Sequence, residues 1–295
     1  MTVLVAGASG VIGRAVVRAL LARDEVRATV RRPDAAEELR ALGAKVTIRE
    51  GVRADELHEV LPRCHTLVHL IGGVEQPDPE ALFRANHASV LAAIEAARAA
   101  GTARFVLLSV PGADPQHTHP FLRAKGMAEE AVVESGLEHA IVRATHAYGL
   151  GGAWFSAFIA GASASPPFVC GPGTQDLAPV YADDVGAVVA AIDDRDGPIA
   201  GTWGMEGPDV VTADSLVAIL RGDDVTSPSH ADGQAAAAAL TDLLGASVDA
   251  VTASFYAMRS RSDAPDAAAA FGVQVTPLLD GLRATLAAAA TLPRG

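Results

Sequence analysis

The stretch Thr2–Leu20, TVLVAGASGVIGRAVVRAL, decides how the rest of the chain is read. Val3, Leu4, Val5 and Ala6 form the short apolar run expected of a strand buried on both faces. Gly7, Gly10 and Gly13 follow, and apolar residues then recur at helical spacing at Val11, Ala15, Val16, Ala19 and Leu20. A strand, a tight glycine turn and a helix start in that order form a pyrophosphate site. The glycines let backbone approach phosphate, and the free N–H groups at the helix start favour negative charge. A glycine triplet alone is weak evidence; in this setting, opening a helix behind a buried-strand pattern, it is strong.

Working outward, Val26–Arg32 reads as a second strand ending in two arginines. At the end of that strand an acid favours a free ribose 2′-hydroxyl, whereas arginine accommodates a 2′-phosphate. Arg31 and Arg32, with no acid beside them, therefore point to NADP(H). A helix over Asp34–Leu42, a strand over Ala44–Ile48 and a strand over Thr66–Ile71 running into Gly72 and Gly73 come next. Pro79–Ala100 reads as one long helix that contains Asn86, and Arg104–Val110 as a fifth strand with Ser109 near its carboxyl end. Pro120–Ser135 is a helix with Pro in its first turn, and Glu138–Arg143 a sixth strand. This alternation predicts an α/β, Rossmann-type, doubly wound parallel sheet. Ligands in such sheets bind beyond the carboxyl ends of the strands, where Ser109 falls.

Beyond Tyr148 the character changes: glycines lead to an apolar helical stretch with Trp154 and Phe155, then a Ser/Pro-rich loop. Tyr148, Trp154, Phe155 and, earlier, Phe121 are the candidate substrate-pocket residues. Ala182–Ile192 reads as a helix, and Ala231–Ala290 as an alanine-rich helical tail. The expected division is an NADP-binding domain over 1–150 and a small, mainly helical substrate lobe over 151–295, interleaved with the last strands and helices of the first.

Half of the residues are hydrophobic, enough for a sizeable core, and no apolar run is long enough for a membrane span. The formal charge of −12 excludes nucleic acid as a main partner, because phosphate neutralisation needs a basic face. Cys64 and Cys170 are too few and too far apart for a disulfide framework or metal knuckle, and His117-x-His119 lacks a third ligand, so no metal is expected. The chain reads as a reduced, cytoplasmic protein, a monomer or homodimer, acting on a small molecule. Only two lysines occur, Lys45 and Lys125, so a lysine at a motif position carries weight.

The stretches GASGVIG (Gly7–Gly13), VHLIGG (Val68–Gly73), FRANHASVLAAIEAARAAG around Asn86, RFVLLSVPGADP, FLRAK, SGLEHAIVRATHAYG, PVYADDV and GMEGPDVVT occur in order over about three quarters of the chain. Together they resemble the short-chain dehydrogenase/reductase superfamily in its extended or atypical branch, near the NmrA-like proteins and the dehydrogenase-like accessory subunit of respiratory complex I. The resemblance implies an NADP cofactor held by Gly7, Ser9, Gly10, Val11, Ile12, Gly13, Arg31, Arg32, Leu70, Ile71, Gly72, Asn86, Lys125, Ala144 and His146. It puts the family's catalytic serine at Ser109 and the lysine of its Tyr-x-x-x-Lys motif at Lys125. The tyrosine position falls on Phe121, which cannot give or take a proton. Val52 and Ala144 are further departures, standing where many relatives carry aspartate and proline.

In a reductase without the tyrosine, proton delivery comes from elsewhere or is unnecessary. Lys125 is the first candidate and His119 the second, since a helix start disfavours imidazolium and leaves a neutral donor. The expected function is an NADPH-dependent reduction of a small, largely apolar carbonyl or conjugated substrate. The alternatives are a non-redox enzyme on the same scaffold and a non-catalytic NADP(H)-binding protein.

Overall fold

A computed structural model describes residues 1–49, 54–222 and 228–291, so Val52 lies outside the described residues. The chain divides into two compact units: Met1–Ala144 with Ala182–Met205 and Ser262–Val275, and Thr145–Tyr181 with Glu206–Arg261 and Thr276–Gly295.

The first unit is built on a parallel sheet. Its strands are β1 (Thr2–Ala6), β2 (Glu25–Val30), β3 (Lys45–Ile48), β4 (Thr66–His69), β5 (Arg104–Ser109), β6 (Glu138–Ala144) and β7 (Ala200–Met205). Their order is β7-β6-β5-β4-β1-β2-β3. The order reverses between β1 and β4, which is where a doubly wound sheet opens a crevice beyond its strand ends. The fold is thus the Rossmann-like α/β sheet expected from the sequence. Helices α1 (Val11–Leu21), α2 (Pro33–Ala41), α3 (Ala54–His58), α4 (Pro79–Phe83), α5 (Ser89–Ala100), α6 (Pro120–Glu134), α7 (Ala182–Asp193) and α8 (Ala267–Phe271) complete the unit.

One face of the sheet carries Leu4, Ala6, Leu67, Phe105, Leu107 and Ile141. These residues cluster with Val90, Ala93, Ile94 and Ala97 of α5 and Ala128 and Val132 of α6. The alternation along β4 and β5 places His69 and Ser109 on that same face, in line with Leu67 and with Phe105 and Leu107. Helix α1 packs on α7, where Gly186 lets the Ala15 carbonyl approach to a distance that a side chain would forbid.

Two elements depart from the pattern in the sequence. The single helix over Pro79–Ala100 is interrupted by a π-helical turn at Arg84–Ala88, with Asn86 inside it. The seventh strand, β7, has no strand signature of its own because Gly201 and Gly204 dilute the pattern. It pairs with β6 over six residues, and Gly204 is required there because a side chain would meet Ser262.

The second unit contains helices at Ala153–Ser163, Ala213–Arg221, Gly233–Leu244, Ala250–Tyr256 and Leu278–Ala290, so the alanine-rich tail is helical only in pieces. Short two-stranded ladders join Ala147–Tyr148 to Val180–Tyr181, Asp176–Leu177 to Val211–Thr212 and Phe168–Cys170 to Ser229–Ala231. No helix among the described residues is long and apolar enough to cross a membrane.

Candidate cofactor and active site

The glycine loop after β1 divides into a packed part and an open part. Gly7 has φ +90°, and a Cβ there would lie 2.8–2.9 Å from Ile71 and Leu70. Its N–H and that of Ala8 both donate to the Thr29 carbonyl at 3.3 Å, which ties the loop to β2. A Cβ at Gly13 would come within 2.6 Å of the Gly7 and Ala8 backbone, so the helix can sit this close only with glycine. Gly10, in contrast, is exposed and faces open space, with nothing within 4 Å of an added Cβ. It caps α1 without a side-chain hydrogen bond, and the first turn carries no acid. The N–H groups at this helix start, flanked by Ser9, Val11 and Ile12, are therefore left to an anion. That open cradle fits a dinucleotide pyrophosphate.

At the end of β2, Arg31 and Arg32 are exposed. Arg32 does have an acidic neighbour, since Asp34 in the first turn of α2 pairs with it at 3.6 Å. No ion pair is formed by Arg31 among the described residues. Arg14 is engaged by Glu38, its Nε donating to both carboxylate oxygens at 2.8 Å.

Beyond β4, the Leu70 N–H donates to the Ala6 carbonyl at 2.8 Å, and Gly72 and Gly73 adopt φ of +131° and +144°. Asn86 holds this turn. Its Oδ1 accepts from the Gly73 N–H at 3.0 Å, and its Nδ2 donates to the Gly73 and Leu82 carbonyls at 2.9 Å. Both of its amide hydrogens are thereby used, and the π-helical turn brings the amide into reach. Such turns are frequent at functional sites.

On the adjoining strand, Ser109 is buried and its Oγ has no hydrogen-bond partner among the described residues. Lys125, 5% exposed, donates from Nζ to the Leu108 carbonyl at 2.6 Å. Burial pushes its pKa down to about 8, against the opposing pull of Glu129. His69 is fully buried on the same sheet face and stacks on Phe105 at 6.2 Å. Burial, reinforced by the nearby Lys125 charge, lowers its pKa to about 3, so it is neutral at physiological pH. The structure therefore gathers Ser109, Lys125 and His69 into one polar island in an apolar core. An orphaned hydroxyl in such a place needs a reason, and a bound ligand oxygen supplies one. The one sign of His69 in the sequence is a histidine in the otherwise apolar strand β4, which does not by itself mark a site. Phe121, one turn before Lys125, is 3% exposed. His119 caps the same helix through its backbone only, and its N–H donates to His117 Nδ1 at 2.9 Å. Ala144 ends β6 and is buried.

The remaining expected site residues lie in the second unit and are packed. His146 stacks on Trp154 at 4.7 Å, with Phe255 edge-on at 5.2 Å, and burial lowers its pKa to about 3. Phe155 is buried against Tyr148 at 5.7 Å. Tyr148 is 1% exposed and reaches the Leu278 carbonyl at 3.5 Å, and Gly281 is required because a Cβ there would strike its hydroxyl. No group of three or more metal-ligating side chains occurs among the described residues.

Residues 7–148 match a family model described as NAD(P)H-binding. The chain is 30% identical over 227 residues to the mitochondrial NADH dehydrogenase [ubiquinone] 1 alpha subcomplex subunit 9 of Arabidopsis thaliana, covering 72% of this chain and 56% of that one. It is 30% identical over 191 residues to the ceramide reductase of Caulobacter vibrioides, covering 64% and 60%. It is 29% identical over 145 residues to the photosystem II assembly factor Ycf39 of Cyanophora paradoxa, covering 48% and 44%. The matches thus span about half the length of these relatives. Among solved structures, UDP-glucuronic acid 4-epimerase from Bacillus cereus, in complex with UDP-glucuronic acid and NAD, superimposes with a TM-score of 0.74 at 18% identity. That superposition covers 97% of this chain and 98% of the epimerase, and it shows a shared fold. Residues 7–148 are an NAD(P)-binding domain, and the chain is similar to the atypical, NmrA-like branch of the short-chain dehydrogenase/reductase superfamily.

Proposed function

We propose that the chain is an NADPH-dependent reductase of a small, largely apolar carbonyl or conjugated substrate such as an enone or quinone, with Lys125 handling the proton. The observation that carries this reading is the buried Lys125 ammonium, with its pKa near 8, beside the unpartnered Ser109 hydroxyl and with phenylalanine at position 121. The relatives named ceramide reductase and 4-hydroxy-2-methyl-3-oxo-4-farnesyl-3,4-dihydroquinoline-1-oxide ketoreductase support a reduction.

The bound cofactor would supply a hydride. The chain's own residues do the rest. The open helix start at Gly10 holds the pyrophosphate, and Arg31 holds the 2′-phosphate. Asn86 fixes the Gly72–Gly73 turn as a positioning residue. Ser109 donates its free hydroxyl hydrogen to the substrate oxygen, and Lys125 delivers a proton as charge builds there. The second unit serves as the substrate lobe, and the protein works in the cytoplasm as a monomer or homodimer.

Phe121 favours a second reading, in which the chain binds NADP(H) without reducing anything, and the relatives named as a complex subunit and an assembly factor agree with it. A third keeps the scaffold for a dehydration, cyclisation or rearrangement. Oxidation of NADPH in the presence of ketones, enones and quinones supports the first reading, and its absence across the panel supports the other two.

Two outcomes follow for variants. NADPH is expected to bind more tightly than NADH by roughly tenfold to a hundredfold, since a charge-assisted hydrogen bond contributes about 1.5–3 kcal/mol. Calorimetric titration should show Arg31→Ala erasing that preference while NADH affinity holds, and equal wild-type affinities would rule it out. Phe121→Tyr is expected to give no gain in turnover, because the added hydroxyl would be buried with the ring, at a cost of about 1–3 kcal/mol if unpaired. A tenfold gain would show that the site lacks an acid.

A further inference from the structure

We propose that Arg143 is a positioning residue for Lys125: it holds the Glu129 carboxylate in an ion pair of its own, so that Glu129 does not become the counter-ion of the lysine. This rests on the reading of Lys125 as the group that gives up a proton.

Lys125 and Glu129 stand one turn apart on α6, on the side that packs inward, and residues at that spacing are neighbours on a helix surface. Left to themselves, a buried lysine and a buried glutamate four residues apart form an ion pair. Here each is turned to another partner. Arg143 of β6 donates from Nε to both Glu129 oxygens, at 3.0 and 3.2 Å, and from Nη2 to Oε2 at 2.5 Å. The same Nη2 also reaches the Ala113 carbonyl at 3.2 Å, which fixes the guanidinium to the loop after β5. That loop is itself held to α6, because the Asp114 N–H donates to the Leu122 carbonyl and the Asp114–Pro115 backbone fills the space over Gly126. Lys125 turns to the Leu108 carbonyl, a neutral acceptor.

The other charged and titratable groups around α6 leave this arrangement intact. His69 faces Lys125 from β4 and is neutral. On the π-helical turn, Arg84 is exposed and pairs with Glu80, and His87 leans on Phe83. Glu95 and Arg98 of α5 and Arg123, Glu130 and Glu134 of α6 are exposed. His119 stands at the start of α6, Asp114 beside Arg143, and Arg104, Glu138 and His139 at the opposite strand ends. Glu129 is thus the carboxylate that decides whether the ammonium is paired. A lysine with a buried counter-ion keeps its proton well above neutral pH, whereas one facing a carbonyl in an apolar core releases it readily.

The chain's two lysines make the test direct. With lysine labelled with carbon-13 at Cε, the full chain should give two titrating NMR signals, with exposed Lys45 as the internal reference. Arg143→Met is expected to raise the Lys125 midpoint by about 1–3 pH units, the usual effect of an opposite charge at close range. Glu129→Gln is expected to lower it, the double variant to match Glu129→Gln, and Arg143→Lys to stay near the wild type. A purely structural role would move both single variants the same way, toward an ordinary lysine, and that result overturns the proposal. Should Arg143→Met not fold, an upward shift in Glu129→Gln overturns it equally. The titration needs neither cofactor nor substrate. If the midpoints move as expected while the pH dependence of turnover does not follow them, the positioning role stands and the reading of Lys125 as proton donor falls.

Discussion

Lys125→Ala is expected to lower turnover by about a hundredfold or more, the usual scale for losing a positioned acid or base. The lysine sits at 5% exposure against the Leu108 carbonyl, with Ser109, His69 and the Arg143-paired Glu129 as the polar groups near it in the core. An ordinary lysine holds its proton near neutral pH too tightly to be a good acid. With its pKa pushed down to about 8, Lys125 is protonated at neutral pH and poised to give the proton away. The sign of the pH dependence follows: below about 8 the acid form is populated, so turnover is highest there and falls as pH rises through that value. In Lys125→Ala the alkaline limb disappears along with most of the rate. Steady-state kinetics from pH 6 to 10 on both proteins measures this. Full activity in the alanine variant would remove the lysine from the mechanism.

The second large effect separates two glycines that a motif treats alike. Gly13→Val is expected to cost the folded state itself, because its Cβ would lie within 2.6 Å of the Gly7 and Ala8 backbone, which no rotamer relieves. Crowding of this kind costs typically 1–3 kcal/mol and more where backbone must move, so the melting temperature should fall by many degrees or the protein fail to accumulate. Gly10→Val points into open space and should fold, melting close to the wild type. Its side chain would instead occupy the cradle at the start of α1, and NADPH affinity is expected to fall about a hundredfold or more, since the glycine is what lets backbone approach the pyrophosphate. Thermal melting and calorimetry on the two variants separate the cases. Retained affinity in folded Gly10→Val would show that the loop is only a turn.

What was legible in the sequence was whatever local pattern controls. Strands β1, β4 and β5 follow from apolar runs, because a strand buried on both faces has little freedom of composition, whereas β2 and β3 follow from the alternation of elements around them. The strand β7 was hidden, since a Gly-rich edge segment is a strand by virtue of its neighbour β6 and of the Ser262–Val275 segment it meets. The π-helical turn was hidden too. It is fixed by what Asn86 must reach, the two polar groups of Gly73, and no periodicity announces a tertiary hydrogen bond. For the site, Ser109, Lys125 and Phe121 could be placed from motif spacing, but their environment could not. That the serine hydroxyl is unpartnered, that His69 shares its sheet face and that Arg143 claims Glu129 are consequences of register and packing. The absence of an acid beside Arg31 and Arg32 held in sequence only; in space Asp34 pairs with Arg32 at 3.6 Å, and the proposed preference for NADP(H) then rests on Arg31.

The central claim is that the chain carries out a net reduction with NADPH. It is tested most directly by incubating the full chain with NADPH and a panel of small ketones, enones and quinones, following cofactor absorbance and product mass together. Reduction predicts a product heavier than its substrate by two hydrogens, formed in equal amount to the NADPH consumed, with both rates lost together in Lys125→Ala. A product formed without cofactor consumption, or no product from any member of the panel, would contradict it.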